Sequence, residues 1–297
     1  MSIIGFIGLG NMGLPMAVNL KKAGHAIQAF DTVPSQLEIA KSEGMEICAS
    51  AADAARGADI VITMLPNGEI VSAVYSQIIP AATKGALVID SSTIDVSTAK
   101  SLHGQAGAAE LLSLDAPVSG GVGGATAGSL TFMCGGSAEA FKKAQPLLDI
   151  MGGKVIHCGD GGAGQAAKIC NNMLLSISMI GACEAFALAE KLGLSAQAAF
   201  DVMSTSSGSC WSVNTYCPVP GVGPKSPADN DYKPGFAAEL MLKDASLAQQ
   251  AATEAGQATP MGQYAAMLYR HFLANGGEGK DFSGIIEYLK RAERGNA

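Results

Sequence analysis

Charged side chains are scarce in this chain of 297 residues, where they make up 15% of the total and give a formal net charge of −7. No cluster of Lys or Arg is present, which argues against nucleic-acid binding, since such proteins carry a basic patch. Aromatic side chains are also few, at 5%, with a single tryptophan. Hydrophobic residues reach 48%, which is enough for a full core with apolar surface left over for contacts between subunits. We therefore expect a homo-oligomer, a dimer or a tetramer.

Cysteine and histidine are present, but not in the spacing of a metal site. The seven cysteines include no C-x-x-C pair, and the four histidines are scattered. We interpret the cysteines as reduced packing residues and expect no metal. The first residues, MSIIGFIGLG, contain no basic region, so we expect no signal or transit peptide and a cytoplasmic protein. The most apolar run, Met173–Cys183, is too short to span a bilayer, so no membrane association is expected.

The first half of the chain alternates short apolar runs with helical patterns. Parallel strands joined by right-handed helical crossovers give this alternation, so we predict a doubly wound, mostly parallel α/β sheet of the Rossmann type over residues 1–163. The runs predicted to be strands are SIIGFIGLG, HAIQAFD, ADIVITMLP, GALVID, ELLSLDAP, GSLTFMCGG and GGKVIHCG.

After about Gly161 the pattern becomes helical, which predicts an all-α domain over residues 164–297. A long helix is predicted over Gln165–Leu192, and it should be buried because it is apolar nearly all round. Tyr216–Gly235 contains five prolines and is expected to be an irregular loop. The other predicted helices are SAQAAFDVMS, FAAELMLKDASLAQQAATEAG, MGQYAAMLYRHFLANG and FSGIIEYLKRAER.

A glycine motif, G-x-G-x-x-G, lies between the first predicted strand and a helix predicted over about Gly13–Ala23. In this motif Gly8 permits a tight turn, Gly10 lets a pyrophosphate approach the backbone, and Gly13 lets the helix pack close to the strand. The helix N-terminus would then favour the negative phosphates. An ordinary glycine-rich turn is the alternative. The motif predicts a dinucleotide site formed by Gly8, Leu9, Gly10, Asn11, Met12 and Gly13.

Asp31 ends the second predicted strand, 18 residues after Gly13. A carboxylate at this place accepts hydrogen bonds from the ribose hydroxyls of NAD and repels the 2′-phosphate of NADP. Residues 32–35 read Thr-Val-Pro-Ser and contain no Arg, which also favours NAD. A simple cap at the end of the strand is the alternative role for Asp31.

The segment DAPVSGGVGG, Asp115–Gly124, holds four glycines in ten residues. Such a segment is either a flexible linker or a loop whose backbone N–H groups come close to an anion. Further along, Lys168 and Asn172 are four residues apart in the long helix and share a face of it. Because Lys is rarely buried and Asn is a poor residue for a helix interior, the pair indicates a polar pocket. A solvated helix start, with Lys168 extended along the surface, is the alternative.

Four segments together resemble the β-hydroxyacid dehydrogenases: FIGLGNMGLPMAVNL, DAPVSGGVGGATAGSL, GAGQAAKICNNML and LMLKDASLA. The resemblance covers essentially the whole chain. SSGSCWSVNTYCPVPGV and KDFSGIIEYL are similar to the branch that acts on 3-hydroxyisobutyrate. Ser209 departs from the relatives that have a basic residue at this position.

The resemblance implies an NAD-dependent oxidation of 3-hydroxyisobutyrate to methylmalonate semialdehyde, a step of valine breakdown. A related enzyme acting on tartronate or succinate semialdehyde, or on 3-hydroxypropionate, is the first alternative. A nucleotide-binding module without catalysis is the second.

The resemblance also assigns roles to individual residues. Lys168 is the catalytic residue, with Asn172 beside it on the substrate, and Asp244 supports its neighbour Lys243. As proton acceptor, Lys168 needs a pKa below the ordinary value of about 10.4, and burial lowers the pKa of an amine. The substrate is a small hydroxycarboxylate, expected to contact Ser119, Gly120, Gly121, Phe236 and Trp211. Beyond the glycine motif and Asp31, the expected cofactor contacts are Leu65, Pro66, Thr93 and Lys243.

Overall fold

The computed structural model describes residues 1–292 of the chain. It divides into two compact units, which we call unit 1, Met1–Lys168, and unit 2, which begins at Ile169. The sequence pattern suggests a boundary between residues 163 and 164, where strands give way to helices. The structural boundary lies later because the first turn of the long helix makes its contacts within unit 1.

Unit 1 contains a sheet of nine strands. In chain order they are β1 Ile3–Ile7, β2 Ala26–Phe30, β3 Glu46–Ile47, β4 Ile60–Thr63, β5 Leu87–Asp90, β6 Leu112–Asp115, β7 Val118–Ser119, β8 Leu130–Gly136 and β9 Gly152–Gly159. The order across the sheet is β3-β2-β1-β4-β5-β6-β8-β7, and β9 pairs with β8. The first six strands are parallel, whereas β8 is antiparallel to both β6 and β7.

The order of the six parallel strands is that of a double mononucleotide-binding fold, so the predicted Rossmann-type sheet is confirmed. All seven predicted strands are present. The strands β3 and β7 were not predicted, because two-residue strands contain no apolar run long enough to recognise. Apolar side chains cover both faces of the sheet: one cluster includes Phe6 and Leu87, and the other includes Val61 and Val88.

Seven helices cross between the strands of unit 1: α1 Gly13–Lys22, α2 Pro34–Ser42, α3 Ala51–Ala55, α4 Gly68–Ala81, α5 Val96–Ala108, α6 Gly121–Ala127 and α7 Ala138–Met151. Asn67, Asp95 and Ser137 cap α4, α5 and α7 by accepting a backbone N–H in the first turn. Helix α1 differs, because Met12 at its start provides no side-chain cap. This is the helix whose N-terminus follows the glycine motif.

The remaining helices are α8 Ala163–Lys191, which begins in unit 1, and α9 Ala196–Thr205, α10 Trp211–Asn214, α11 Ala238–Glu254, α12 Pro260–Phe272 and α13 Ile285–Ala292 in unit 2. The all-α prediction for this part of the chain is confirmed. As expected, Tyr216–Gly235 is irregular and contains only a 3₁₀ turn, Pro227–Asn230. The last residues of the segment FSGIIEYLKRAER, 293 and 294, lie outside the described residues.

The prediction that α8 is a buried helix holds for only part of it. Only 44% of its most apolar stretch is buried, and Leu174 and Leu188 are 64% and 59% exposed. Among the described residues, α8 is the one helix whose length and composition suffice to cross a membrane. Core helices of soluble proteins pass the same test, so this is weak evidence for a membrane span. Neighbouring helices of the same chain cover one side of α8 and leave apolar side chains on the other.

Candidate active site

Each glycine of the motif meets a different geometric requirement. Gly8 has a φ of +93°, and a Cβ added to it would lie 2.3 Å from the carbonyl oxygen of Met64. A Cβ on Gly13 would lie 1.9 Å from the carbonyl oxygen of Gly8, so α1 packs directly against the turn. By contrast, a Cβ on Gly10 would meet no heavy atom within 4 Å. The space beside Gly10 is therefore open, which fits a pyrophosphate approaching the exposed backbone.

Asp31 holds the glycine motif to the end of β2. Its Oδ2 accepts the N–H of Leu9 at 2.6 Å, and its Oδ1 accepts the N–H of Val33 at 2.8 Å. The carboxylate thus acts as a cap. It still fits a ribose, because the two oxygens of a carboxylate together offer about four acceptor positions.

The ends of β4 and β5 meet around a buried carboxylate, Asp90, that was not predicted from the sequence. Asp90 Oδ1 accepts hydrogen bonds from the hydroxyl of Thr63 at 2.7 Å and from the hydroxyl of Ser92 at 2.6 Å. Ser92 Oγ in turn accepts the N–H of Leu65 at 2.8 Å. Asp90 Oδ2 has no hydrogen-bond partner among the described residues, and burial raises the pKa of Asp90 to about 6. The signal in the sequence was an acidic residue ending a buried strand, followed by serines.

These contacts position the residues expected at the cofactor. Leu65 and Thr93 are half-buried and Pro66 is exposed. Leu65 follows β4 and Thr93 follows β5, and these strands are neighbours in the sheet. The carboxyl ends of neighbouring parallel strands form one edge, where ligands of doubly wound sheets bind.

The glycine-rich segment after β6 is ordered, so it is not a flexible linker. Ser119 lies in β7, where it pairs with Thr131 of β8. Gly120 follows with a φ of +129°, a conformation that L side chains rarely adopt, and α6 begins at Gly121. The half-buried Ser119 hydroxyl and the glycine backbone N–H groups are donors of the kind that bind a carboxylate.

Lys168 is only 6% exposed, which excludes the solvated helix start. It lies in the second turn of α8, whose first turn is capped by a distant residue. Asp115, at the end of β6, accepts the N–H of Gly162 at 2.7 Å and that of Gln165 at 2.8 Å. These N–H groups at the start of the helix have no partner within it. The negative carboxylate of Asp115 is also stabilised by the positive end of the helix dipole.

In unit 2, Asn172 is 2% exposed and its amide is held on both sides. Its Nδ2 donates to Asp244 Oδ2 at 2.5 Å, and its Oδ1 accepts from Asn171 Nδ2 at 3.0 Å. Lys243 Nζ lies 3.4 Å from Asp244 Oδ1. Asp244 therefore contacts Asn172 as well as Lys243, whereas the sequence suggested only the second contact.

The two aromatic residues expected at the substrate belong to a row of four rings in unit 2. Trp211, 48% exposed, stacks on Tyr216 at 4.8 Å between ring centres, and Tyr216 stacks on Phe282 at 5.4 Å. Phe236 packs edge-on against Phe282 at 5.6 Å. Buried Asp281 accepts the hydroxyl of Tyr216 and the N–H of Phe236, both at 2.9 Å. The family resemblance pointed to Trp211 and Phe236, but Tyr216, Phe282 and Asp281 were not predicted from the sequence.

Within residues 1–292, no group of three or more His, Cys, Asp or Glu side chains is arranged to hold a metal ion. All seven cysteines are free thiols. Cys134, Cys183 and Cys217 are buried, as expected for packing residues, and burial raises the pKa of all three thiols. Cys170 is exposed, so the packing interpretation is wrong for it.

The strand order, the open space at Gly10 and the carboxylate at the end of β2 define a dinucleotide-binding protein of the Rossmann class. Residues 3–159 match the family described as the NAD binding domain of 6-phosphogluconate dehydrogenase. Residues 162–289 match the family described as NAD-binding of NADP-dependent 3-hydroxyisobutyrate dehydrogenase. Together the two matches cover both units.

Full-length relatives carry related names. The solved structure of Mycobacterium tuberculosis 3-hydroxyisobutyrate dehydrogenase with L-serine is 50% identical and covers 97% of this chain and 99% of that one, with a TM-score of 0.94. An NAD-dependent L-serine dehydrogenase of Pseudomonas aeruginosa is 47% identical over 97% of this chain and 98% of its own. The human mitochondrial 3-hydroxyisobutyrate dehydrogenase is 46% identical over 98% of this chain and 87% of its own.

The chain belongs to the 3-hydroxyisobutyrate dehydrogenase family. It is an NAD-dependent hydroxyacid dehydrogenase with a Rossmann domain followed by a helical domain.

Proposed function

We propose that this enzyme oxidises 3-hydroxyisobutyrate to methylmalonate semialdehyde, the reaction by which valine breakdown proceeds from this hydroxyacid. The observation that carries the proposal is the burial of Lys168 in a helix otherwise rich in apolar residues, one turn before a buried Asn172. Lys is rarely buried unless it is paired or has a chemical task, and Asn is a poor residue for a helix interior, so the two residues together indicate a polar pocket. The names of two of the three relatives described above agree with this substrate.

In this reaction the bound NAD supplies the acceptor for the hydride that leaves the hydroxyl-bearing carbon. Lys168 Nζ takes the hydroxyl proton, and the carbon–oxygen single bond becomes a carbonyl. The neutral form of the amine is the one able to accept this proton. Asn172, its amide already oriented by Asp244, contacts the substrate beside Lys168.

The substrate carboxylate is assigned to the loop after β6. There the Ser119 hydroxyl and the backbone N–H groups of Gly120 and Gly121 are the donors. Trp211 and Phe236 are assigned to the rest of the substrate. The cofactor is assigned to the glycine motif, with Asp31 at the ribose, Leu65, Pro66 and Thr93 along the sheet edge, and Lys243 from α11.

L-Serine is the second candidate substrate, because one relative is named for it and the Mycobacterium structure was determined with it. Serine and 3-hydroxyisobutyrate share the same 3-hydroxypropanoate skeleton and differ only at carbon 2, where serine carries an ammonium in place of a methyl. Burying an ammonium is unfavourable unless a carboxylate or several acceptors meet it. Discrimination therefore depends on whether the pocket offers such acceptors to carbon 2.

Initial rates of NADH formation with 3-hydroxyisobutyrate, L-serine, 3-hydroxypropionate and glycerate test the assignment. We expect kcat/KM for 3-hydroxyisobutyrate to exceed that for L-serine by at least tenfold, about 1.4 kcal/mol. Reduction of tartronate and succinate semialdehydes, assayed with NADH and with NADPH, covers the sister reductases. A higher kcat/KM for L-serine would transfer the assignment to serine. NADH binding without turnover of any of these compounds would identify a nucleotide-binding module instead.

We also propose that the chain forms a cytoplasmic homo-oligomer through unit 2. Leu174 and Leu188 are exposed, and they lie 14 residues apart in α8, which puts them on one face of the helix. Met261 and Tyr264 of α12 are exposed as well. Exposed apolar patches of this kind mark contacts between proteins. Sedimentation equilibrium should give two or four times the chain mass of 30.1 kDa, and a monomer at micromolar concentration would refute the proposal.

A further inference from the structure

Gln165, in the first turn of α8, is fully buried, and its side-chain amide is used at both ends. Its Nε2 donates to the carbonyl oxygen of Ser92 at 2.7 Å, and its Oε1 accepts the N–H of Ile94 at 3.1 Å. These two backbone groups flank Thr93. The Gln165 amide thus donates to the carbonyl before Thr93 and accepts from the N–H after it. It holds the backbone of Thr93 as a neighbouring strand would.

The turn of helix that carries Gln165 is itself fixed to the sheet. Asp115 binds the N–H of Gln165, as described above. A Cβ added to Gly164 would lie 2.3 Å from the carbonyl oxygen of Met133 and 2.7 Å from that of Asp115. The helix backbone therefore packs directly on β6 and β8, with no side chain between them. Lys168 follows Gln165 by three residues in the same rigid helix, so its backbone position is set by these contacts.

The other end of the connection reaches β4. Ser92, whose carbonyl binds Gln165, also accepts the N–H of Leu65 through its hydroxyl at 2.8 Å. The loops after β4 and β5 and the first turn of α8 are thus joined by consecutive hydrogen bonds, all of them within unit 1. Leu65 and Thr93 are the residues assigned above to the cofactor.

We propose that Gln165 is a positioning residue, which ties the loop containing Thr93 to the helical turn that leads to Lys168. Hydride and proton leave the same C–OH group, so the bound cofactor and the proton-accepting amine must keep a fixed separation. A misplacement of about 1 Å at such a site can cost about 100-fold in rate. This proposal rests on the proposed function, because it takes Lys168 to be the proton acceptor.

Gln165→Glu gives the most direct test, because its effect reverses with pH. The ionised carboxylate puts an oxygen where Nε2 donates to the Ser92 carbonyl, and two acceptors at this distance repel each other. When protonated, the same carboxyl group can donate its O–H to that carbonyl and restore the bond. Burial beside a carbonyl oxygen favours the protonated form.

Two quantities are measured between pH 5.5 and 8.5 as ratios to the unmodified enzyme at each pH: NADH affinity by fluorescence titration, and kcat at saturating substrate. At pH 8 we expect Gln165→Glu to lose at least tenfold in kcat and at least threefold in NADH affinity. Both ratios should recover as the pH falls. The titratable groups nearest to this network, Asp115, His103, Asp90 and Lys168, are common to both proteins, so the ratio removes most of their contribution.

Gln105→Glu is the matched control, because it adds the same charge to an exposed residue of α5. We expect its ratios to stay near one at every pH. Gln165→Met, which removes both bonds without adding charge, should lose kcat and NADH affinity by a factor that does not vary with pH. It also provides the test if the glutamate variant does not fold.

A folded Gln165→Met or Gln165→Glu variant with unchanged kcat and NADH affinity at pH 8 would overturn the proposal. A lower melting temperature with unchanged kinetics would also overturn it, because Gln165 would then serve stability alone. If the unmodified enzyme oxidises none of the hydroxyacids, the proposed function fails. A pH-dependent NADH affinity of Gln165→Glu would even then support the tie to the Thr93 loop.

Discussion

Asp90→Asn should remove a pH dependence of stability that the buried carboxylate imposes on unit 1. Burial raises the pKa of Asp90 from its ordinary value of 3.8 to about 6. The folded protein therefore binds the proton more tightly than the unfolded chain does. Well below pH 3.8 both states are protonated and Asp90 causes no penalty. Between about pH 4 and pH 6 the unfolded chain loses its proton first, so stability falls as the pH rises.

The size of this effect follows from the pKa. One pKa unit corresponds to about 1.36 kcal/mol, so a rise from 3.8 to about 6 corresponds to about 3 kcal/mol. Asparagine keeps the oxygen that accepts from Thr63 and Ser92 and cannot ionise. Its NH₂ group replaces Asp90 Oδ2, the oxygen without a hydrogen-bond partner among the described residues. The stability of the variant relative to the unmodified protein should therefore rise by about 2.4 kcal/mol between pH 4 and pH 7, because part of the effect is already present at pH 4.

Urea unfolding of the cofactor-free protein, followed by circular dichroism across this pH range, measures the difference. The single tryptophan, Trp211, lies in unit 2, so its fluorescence identifies the transition of that unit and leaves the other transition to unit 1. Asp149→Asn is the control, because it removes a carboxylate from an exposed position on α7. A stability difference for Asp90→Asn that stays constant from pH 4 to pH 7 would refute the reasoning.

Two further predictions concern the active site. Lys168→Ala should lose roughly 10²–10⁴-fold in kcat, the range for a general base, while fluorescence titration still detects NADH binding. Lys168→Arg should fail nearly as badly because a guanidinium stays protonated, and near-normal oxidation by this variant at neutral pH would mean that Lys168 only positions the substrate. Asp31→Ser with Thr32→Arg should raise the preference for NADP over NAD at least tenfold, about 1.4 kcal/mol, measured as the ratio of the two kcat/KM values. NAD binding should also weaken, because the N–H of Leu9 loses its acceptor, and an unchanged ratio would place the ribose away from Asp31.

Local sequence patterns contain most of the fold. The alternation of apolar runs and helices predicted every strand longer than two residues, and the glycine motif predicted the cofactor loop, because both depend on neighbours in the chain. The predicted burial of α8 is only partly confirmed, for a physical reason. A helix that is apolar all round gives no information about which side its own chain covers, and Leu174 and Leu188 lie on the uncovered side.

The hydrogen bonds that hold the polar side chains of the site could not be predicted from the sequence. Gln165 binds Ser92 across a separation of 73 residues, and Asn172 binds Asp244 across 72. No local pattern encodes such pairs, because each partner alone is an ordinary Gln, Ser, Asn or Asp. The available signal was weaker: polar residues at positions where a buried strand ends or a buried helix begins. Residues of this kind must find partners when the chain folds.

Asp90 and Asp281 are both buried carboxylates, but their hydrogen bonds predict different effects of a substitution by asparagine. Asp281 is fully buried, and both of its oxygens are used. Oδ2 accepts the N–H groups of Gly235 and Phe236 and the hydroxyl of Tyr216, while Oδ1 accepts the N–H and the hydroxyl of Ser283.

An asparagine at position 281 must turn its NH₂ group toward one of these sets of donors, whichever way the amide is oriented. Turned toward Gly235 and Phe236, the NH₂ group leaves both N–H groups without an acceptor; turned toward Ser283, it leaves the N–H of Ser283 without one, although the hydroxyl can rotate and accept. Each such loss costs about 1–3 kcal/mol. Asp281→Asn should therefore destabilise unit 2 by at least about 1 kcal/mol at pH 7, measured by the urea transition of Trp211 fluorescence. Asp90→Asn, which turns its NH₂ toward an oxygen position without a partner, should leave that transition unchanged. Equal and small effects of the two substitutions would mean that the five donors around Asp281 find other acceptors in the variant.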